Sequence, residues 1–394
     1  MRGVVVVVSG SRGGSTLLGS LLRRVPGLVH TNAELNPLFA LAGLHDGADR
    51  RPALEAELLA DLGRPHAGPV DDAARQRLAL DLAWRLLVQW PDLASACPLP
   101  QLLAVTASAA ATADRPVGAL LAALAELSGR HPALDARRYD LPAEAGDLVA
   151  AQAAGRPAPI GPPGAAAVEM APFVVPGWWT PASAWDLATR TVVLTTPRSA
   201  FRLPILRDLF PRARLRVVHL TRNPAASVNG LMDGWRHHGF ATAPVPGRLR
   251  IAGYSDVVPG GDRWWCFDIP PDWADWADRP LAQVCAHQWA ATHAAALDGA
   301  AALGLEVHRL PFEALVGPPA QRRPVLDDLA AFLAVDPRAL REVAGGELPV
   351  VMATAPPRPG RWRAREAELT AALATPEAQT MAERLGCADP TTWT

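Results

Sequence analysis

Residues 3–22 read GVVVVVSGSRGGSTLLGSLL, and no other stretch narrows the fold as far. Positions 4–8 are valine without a break. A strand with one wet face would alternate apolar and polar side chains. An unbroken apolar run belongs to a strand covered on both faces, as in a parallel sheet flanked by helices. The run ends in a loop of Gly and Ser around Arg12, and Leu-rich helical spacing follows from 15 to about 24, closed by Pro26-Gly27. A strand that turns tightly into a helix start presents backbone N–H groups without partners inside the helix, and such groups bind anions.

The same pattern recurs along the chain. Residues 28–31 read as a second short strand, followed by a loop over 32–39. Strands are expected at 191–194 (TVVL), 215–220 (LRVVHL) and 305–310 (LEVHRL), with helices over 199–210, from about 225, and over 323–333. The expected fold is α/β, an open and mostly parallel sheet with helices on both faces, in a single domain over 1–394. Residues 45–155 differ: they are rich in Ala and Leu, with helical spacing over 72–90 and 116–128 and no clear strand. They read as a helical insertion shaping a substrate entrance, and the Pro/Gly stretch GRPAPIGPPG at 155–164 reads as a linker.

Bulk composition removes several classes of function. Half the residues are hydrophobic (49%), enough for a full core. Arg supplies all 38 basic residues against 39 acidic ones, and a net charge of −1 leaves no footprint for nucleic acid or an anionic membrane. Cys97, Cys266, Cys285 and Cys387 are scattered with no C-x-x-C pair, so neither a zinc site nor a disulfide framework is expected. The valine run is too short for a signal-peptide core, and no segment reaches the roughly 18 apolar residues of a membrane span. A soluble, cytoplasmic setting is expected.

The loop fails two familiar phosphate motifs. G-x-x-x-x-G-K-[ST] needs a Lys, and the chain has none; Gly10 is also one residue too close to Gly14. The later strands lack the Asp that would hold magnesium. G-x-G-x-x-G fails because Arg12 stands where the second Gly belongs, although Glu34 lies about 20 residues on, where an acid would grip a ribose. A dinucleotide-dependent oxidoreductase is therefore the weaker alternative.

The order Arg-Gly-Gly-Ser-Thr-Leu-Leu after an apolar strand resembles the 5′-phosphosulfate loop of the sulfotransferases that use 3′-phosphoadenosine 5′-phosphosulfate (PAPS). Leu220-Thr-Arg-Asn-Pro-Ala-Ala-Ser227, again after a strand, is similar to that family's 3′-phosphate site. Weaker echoes follow in order: Thr196-Pro-Arg198 through Pro204, Leu310-Pro-Phe-Glu-Ala-Leu315, and Arg358-Pro-Gly-Arg-Trp-Arg363 as a loop closing over the nucleotide. The resemblance covers about half the chain.

It implies a sulfuryl transfer from PAPS to a hydroxyl or amine of a small molecule, with no metal. Arg12, Gly13, Gly14, Ser15 and Thr16 are implied for the 5′ end. Arg222 and Ser227 are implied for the 3′-phosphate, and Arg358, Gly360 and Arg361 for the loop that closes over the nucleotide. Arg12 would also carry charge in catalysis, since a guanidinium is permanently positive and offers a fork of donors. Glu34, after the second strand, is the implied base, with His30 the alternative; His287 faces either acceptor or core. Relatives carry a Lys at the position of Thr195, and here it is missing, with Arg198 or Arg12 as substitutes. A relative that binds the nucleotide without turnover stays open on that account. The pairs Trp178-Trp179 and Trp264-Trp265, with Trp273 and Trp276, either wall an acceptor pocket or pack the core.

Overall fold

The computed structural model describes residues 3–32, 58–89, 93–131, 134, 177–195, 198–237, 242–351 and 353–393. The strands are β1 (Gly3–Val8), β2 (Leu28–Thr31), β3 (Leu62–Pro65), β4 (Trp179–Pro181), β5 (Thr191–Thr195), β6 (Leu215–Thr221), β7 (Thr242–Pro244), β8 (Trp264–Cys266) and β9 (Glu306–Pro311). The helices used below are α1 (Ser15–Leu22), α2 (Asp72–Gln89), α3 (Leu99–Thr112), α4 (Pro116–Ser128), α5 (Leu203–Leu209), α6 (Pro224–Trp235), α7 (Leu281–Ala302), α8 (Phe312–Val316), α9 (Pro319–Leu333) and α10 (Pro376–Arg384).

Seven strands form one sheet in the order β4-β3-β2-β5-β1-β6-β9. The five from β2 to β9 in that order run parallel. The architecture is α/β, as the valine run requires: all six residues of β1 are buried. Because side chains alternate across a strand, Val4, Val6 and Val8 join Leu203 and Ala296 on one face, while Val5 and Val7 join Leu18, Leu21 and Leu329 on the other.

Strand β5 lies between β1 and β2, and the chain then crosses to place β6 on the far side of β1. The direction of winding reverses beside β1, so its carboxyl end and that of β6 flank the crevice where ligands bind in open α/β sheets. These two strands are in register, Val8 opposite His219. A dinucleotide-binding order would place β2 directly beside β1, and here it does not.

Residues 45–155 were expected to hold no strand, yet β3 lies there, antiparallel to β2 and β4. Its sequence, Leu-Gly-Arg-Pro, has no β-branched or aromatic residue and carries no strand signal. Its place is fixed by neighbours: a Cβ on Gly63 would stand 2.3 Å from the Thr180 carbonyl and 2.5 Å from the Trp179 indole nitrogen. Strand β4 was also unforeseen. The helix expected over 199–210 divides into a 3-10 turn, Ser199–Arg202, and α5. Helix α9 starts at Pro319, earlier than expected, because proline suits a first helical turn.

Helices α2, α3 and α4 bury a cluster of their own beside the sheet. It is tied to the strand ends by buried polar contacts: Arg85 to Asp61 at 2.7 Å, and Asn32 Nδ2 donating to Asp81 at 2.8 Å. Among the described residues no helix is long and apolar enough to cross a membrane.

Candidate functional site

The loop after β1 is built by its glycines. Gly14 caps α1 at φ +102°, a left-handed conformation that disfavours a side chain, and a Cβ there would stand 2.3 Å from the Phe312 ring. A Cβ on Gly13 would stand 2.4 Å from Ser9 Oγ and 2.7 Å from the Gly10 carbonyl, which accepts the Gly13 N–H at 3.0 Å. No side chain caps α1, so its first-turn N–H groups are left for an outside acceptor. Ser15 and Thr16 stand in that turn, both partly exposed. Arg12 precedes the glycines at φ +63°, and its side chain lies along α6, 3.4 Å from a Cβ placed on Gly230 and 3.3 Å from one on Gly234.

The β6 loop meets this one directly. Arg222 Nη1 donates to the Arg12 carbonyl at 3.1 Å, and its guanidinium carbon lies 4.8 Å from the centroid of the Phe312 ring. That ring also packs under Gly14, so Phe312 supports both loops. The next residue, Glu313, accepts from Asn223 N and Nδ2 at 2.9 and 3.1 Å, and Asn223 in turn caps α6 by accepting the Ala226 N–H. Ser227 is buried in the first turn of α6, with its hydroxyl 3.5 Å from the Arg222 carbonyl. Burial pulls the Arg222 guanidinium below its usual range; Glu313 opposes that pull and Arg361 adds to it. A guanidinium desolvated in this way is one that a bound anion would stabilise.

Gly360, at φ +65°, turns the C-terminal segment into a 3-10 helix, Arg361–Arg365. Asp233 on α6 pairs with Arg361 and with Arg365, and Asn229 accepts from Arg365 at 2.9 Å. That clasp carries Arg361 to the Arg222 side, while Arg358 is exposed. The contacts thus join the β1 loop to Arg222 and Ser227 at the start of α6, and tie Arg361 to the same helix through Asp233.

The candidate bases fare differently. Glu34, Thr196 and Pro197, like the 155–164 stretch, lie outside the described residues. His30 is buried on β2 with Nε2 3.1 Å from the Leu22 carbonyl, and burial, then Arg23, lowers its pKa to about 3. It packs the end of α1. His287 lies on α7, bonded to Asp272 at 2.9 Å and stacked on Trp276 at 4.1 Å. Arg198 does not project its charge outward: Nε and Nη2 both donate to the Phe267 carbonyl, at 3.1 and 2.9 Å. Of the tryptophans, Trp179, Trp264 and Trp265 are buried in the core; Trp273 and Trp276 are partly exposed.

Several site residues escaped the sequence reading. Asp268 is buried and accepts from Ser11 N at 2.9 Å and Arg198 N at 3.1 Å. His219 on β6 and His293 on α7 are both buried, 2.8 Å apart through Nε2 and Nδ1, and His293 Nε2 would lie 3.7 Å from a Cβ on Gly10. Burial holds both neutral, His219 down to about 4 and His293 well below the usual range. The Cys-Phe-Asp run around Asp268 has no spacing signal, and His219 was legible only as part of the strand expected over 215–220. Among the described residues no group of three or more metal-ligating side chains occurs.

No protein-family model and no curated protein matches the chain. Solved structures do, among them two sulfotransferase domains. One is a sulfotransferase domain from the curacin biosynthetic pathway, 13% identical, covering 98% of both chains at a TM-score of 0.40. The other is a sulfotransferase domain from the Synechococcus PCC 7002 olefin synthase, 13% identical, covering 98% of this chain and 94% of that one at 0.38. Likeness at that distance assigns no activity to this chain.

Proposed function

We propose that the protein is a sulfotransferase that uses PAPS as donor and a small-molecule hydroxyl or amine as acceptor. The observation that carries this reading is the bond from Arg222 to the Arg12 carbonyl, which sets two anion-binding loops side by side at the reversal point of the sheet. The residues suit a doubly phosphorylated nucleotide: Gly13 and Gly14 let the loop fold tightly against Ser9, Gly10 and Phe312 while the start of α1 keeps no side-chain cap, and the largely desolvated Arg222 bonds to that loop.

In this reading Arg12 and the first-turn N–H groups of Ser15 and Thr16 hold the 5′ end and offset charge that builds on the leaving phosphate. Arg222, Ser227 and Arg361, with Arg358 and Gly360 at the rim, hold the 3′-phosphate. Bound PAPS supplies the sulfuryl group. Glu34 takes the acceptor proton. With Thr195 in place of Lys and Arg198 turned onto Phe267, Arg12 is left as the cation for the bridging oxygen. Those two positions also favour a second reading, a nucleotide binder without turnover.

Thermal melting with adenosine 3′,5′-bisphosphate, and separately with NAD(P), tests the donor. At 100 times its dissociation constant the bisphosphate should stabilise the fold by about 2.7 kcal/mol, and NAD(P) should not. No shift with the bisphosphate overturns the reading. Incubation with PAPS and a panel of alcohols and amines, read for the mass gain of one sulfuryl group, separates enzyme from binder.

A further inference from the structure

Three of the four non-glycine residues with positive φ among the described residues either bond to the Asp268 carboxylate or stand next in sequence to a residue of that contact. They are Arg12 (φ +63°) in the β1 loop, Arg198 (φ +64°) after β5, and Phe267 (φ +64°) just before Asp268. Backbone held in that region persists only where its surroundings over-determine it, and it collects at functional sites. Here Asp268 provides the determination: one carboxylate oxygen takes the Ser11 N–H, beside Arg12, and the other takes the Arg198 N–H. Arg198 returns its guanidinium to the Phe267 carbonyl, closing the ring of contacts. The Asp268 carbonyl is anchored from behind by the Trp265 indole N–H at 2.8 Å and by Gln288 of α7. The Phe267 ring lies against Gly234 beside the Arg12 side chain, where a Cβ would stand 2.6 Å from it.

We infer that Asp268 is a positioning residue that clamps the β1 and β5 loops together and so sets recognition of the 5′ end of the donor. The inference rests on the nucleotide reading above for the ligand's identity, and on the clamp geometry alone for the rest. A carboxylate suits the task because it accepts from two directions at once, whereas an amide offers one acceptor and would turn its NH2 against an N–H donor. The clamp acts on the 5′ loop and leaves the Arg222–Arg361 side to Glu313 and Asp233.

The test uses Asp268→Asn in the full chain. Calorimetric titration should show adenosine 3′,5′-bisphosphate binding at least about tenfold more weakly, the size expected from losing one bond to a charged acceptor. Adenosine 3′-phosphate, which lacks the 5′ group, should bind as before. Equal weakening of both ligands, or of neither, overturns the inference, since a purely structural role would not discriminate between the two ends. Amide hydrogen exchange on the wild-type protein gives an independent arm that needs no ligand and no folded variant. The Ser11 and Arg198 amides should be as protected as those of β1, and free exchange at either sinks the clamp. If wild type binds neither nucleotide while both amides are protected, the nucleotide reading fails and the clamp stands.

Discussion

The loops at the ends of β1 and β6 and the bundle of α2, α3 and α4 are held by different means. The bundle is built from Ala and Leu at helical spacing, with Leu82, Leu102, Ala119 and Leu120 among its buried residues. Any apolar side chain of similar volume would serve at most of those positions. The loops are held by backbone geometry and polar contacts: Gly14 at positive φ against Phe312, Asp268 on two N–H groups, Glu313 on Asn223. Damage to the bundle should therefore appear as lost stability. Damage to the loops should appear as lost recognition as well.

Gly14→Ala should have the largest effect, because it adds both strain at φ +102° and a Cβ inside the Phe312 ring. We expect a loss of more than about 3 kcal/mol in chemical denaturation, together with loss of bisphosphate binding. Leu120→Ala in the bundle should cost about 2–4 kcal/mol by the same measurement yet leave the dissociation constant for adenosine 3′,5′-bisphosphate unchanged. A change in affinity there would erase the distinction between the regions. Arg222→Ala should weaken bisphosphate binding by about 2 kcal/mol, the scale of bonds to a charged group, with titration as the readout.

Acid should act on the sheet side. His219 has its pKa lowered in the folded state to about 4, so the unfolded chain takes up a proton first. Stability is complete above the unfolded value and drains away as pH falls through it toward the folded one. Between pH 7 and pH 5 this group alone should cost about 2 kcal/mol. Melting temperature should fall over that interval, and His219→Gln should lessen the fall by this one group's share, with His30 and His293 keeping theirs. A full acid response in that variant would place the sensitivity elsewhere. The smallest effect belongs to the bundle's outer surface: Leu80, 49% exposed on α2, should accept Glu within about 0.5 kcal/mol in denaturation.

The two regions also differed in how far they could be read from residues. The valine run, the Gly-Ser loop and the Arg-Asn-Pro turn were local signals, and the sheet places their carboxyl ends together as the α/β pattern required. Helix α2 was legible from spacing to within a residue at its end. Strand β3 was not, because Leu-Gly-Arg-Pro holds its place through Trp179 and Thr180, more than a hundred positions away.

What residues 3–22 determined alone was a strand buried on both faces feeding a helix start that no side chain caps. That follows from an unbroken apolar run and from glycines that only a tight turn needs. Tertiary structure decided which partners the loops would have. Ser11 and Asp268 are 257 positions apart, and Asn223 and Glu313 are 90 apart. A hydrogen bond between groups so distant along the chain is set by where strands and helices pack, and residue order carries no periodic trace of it.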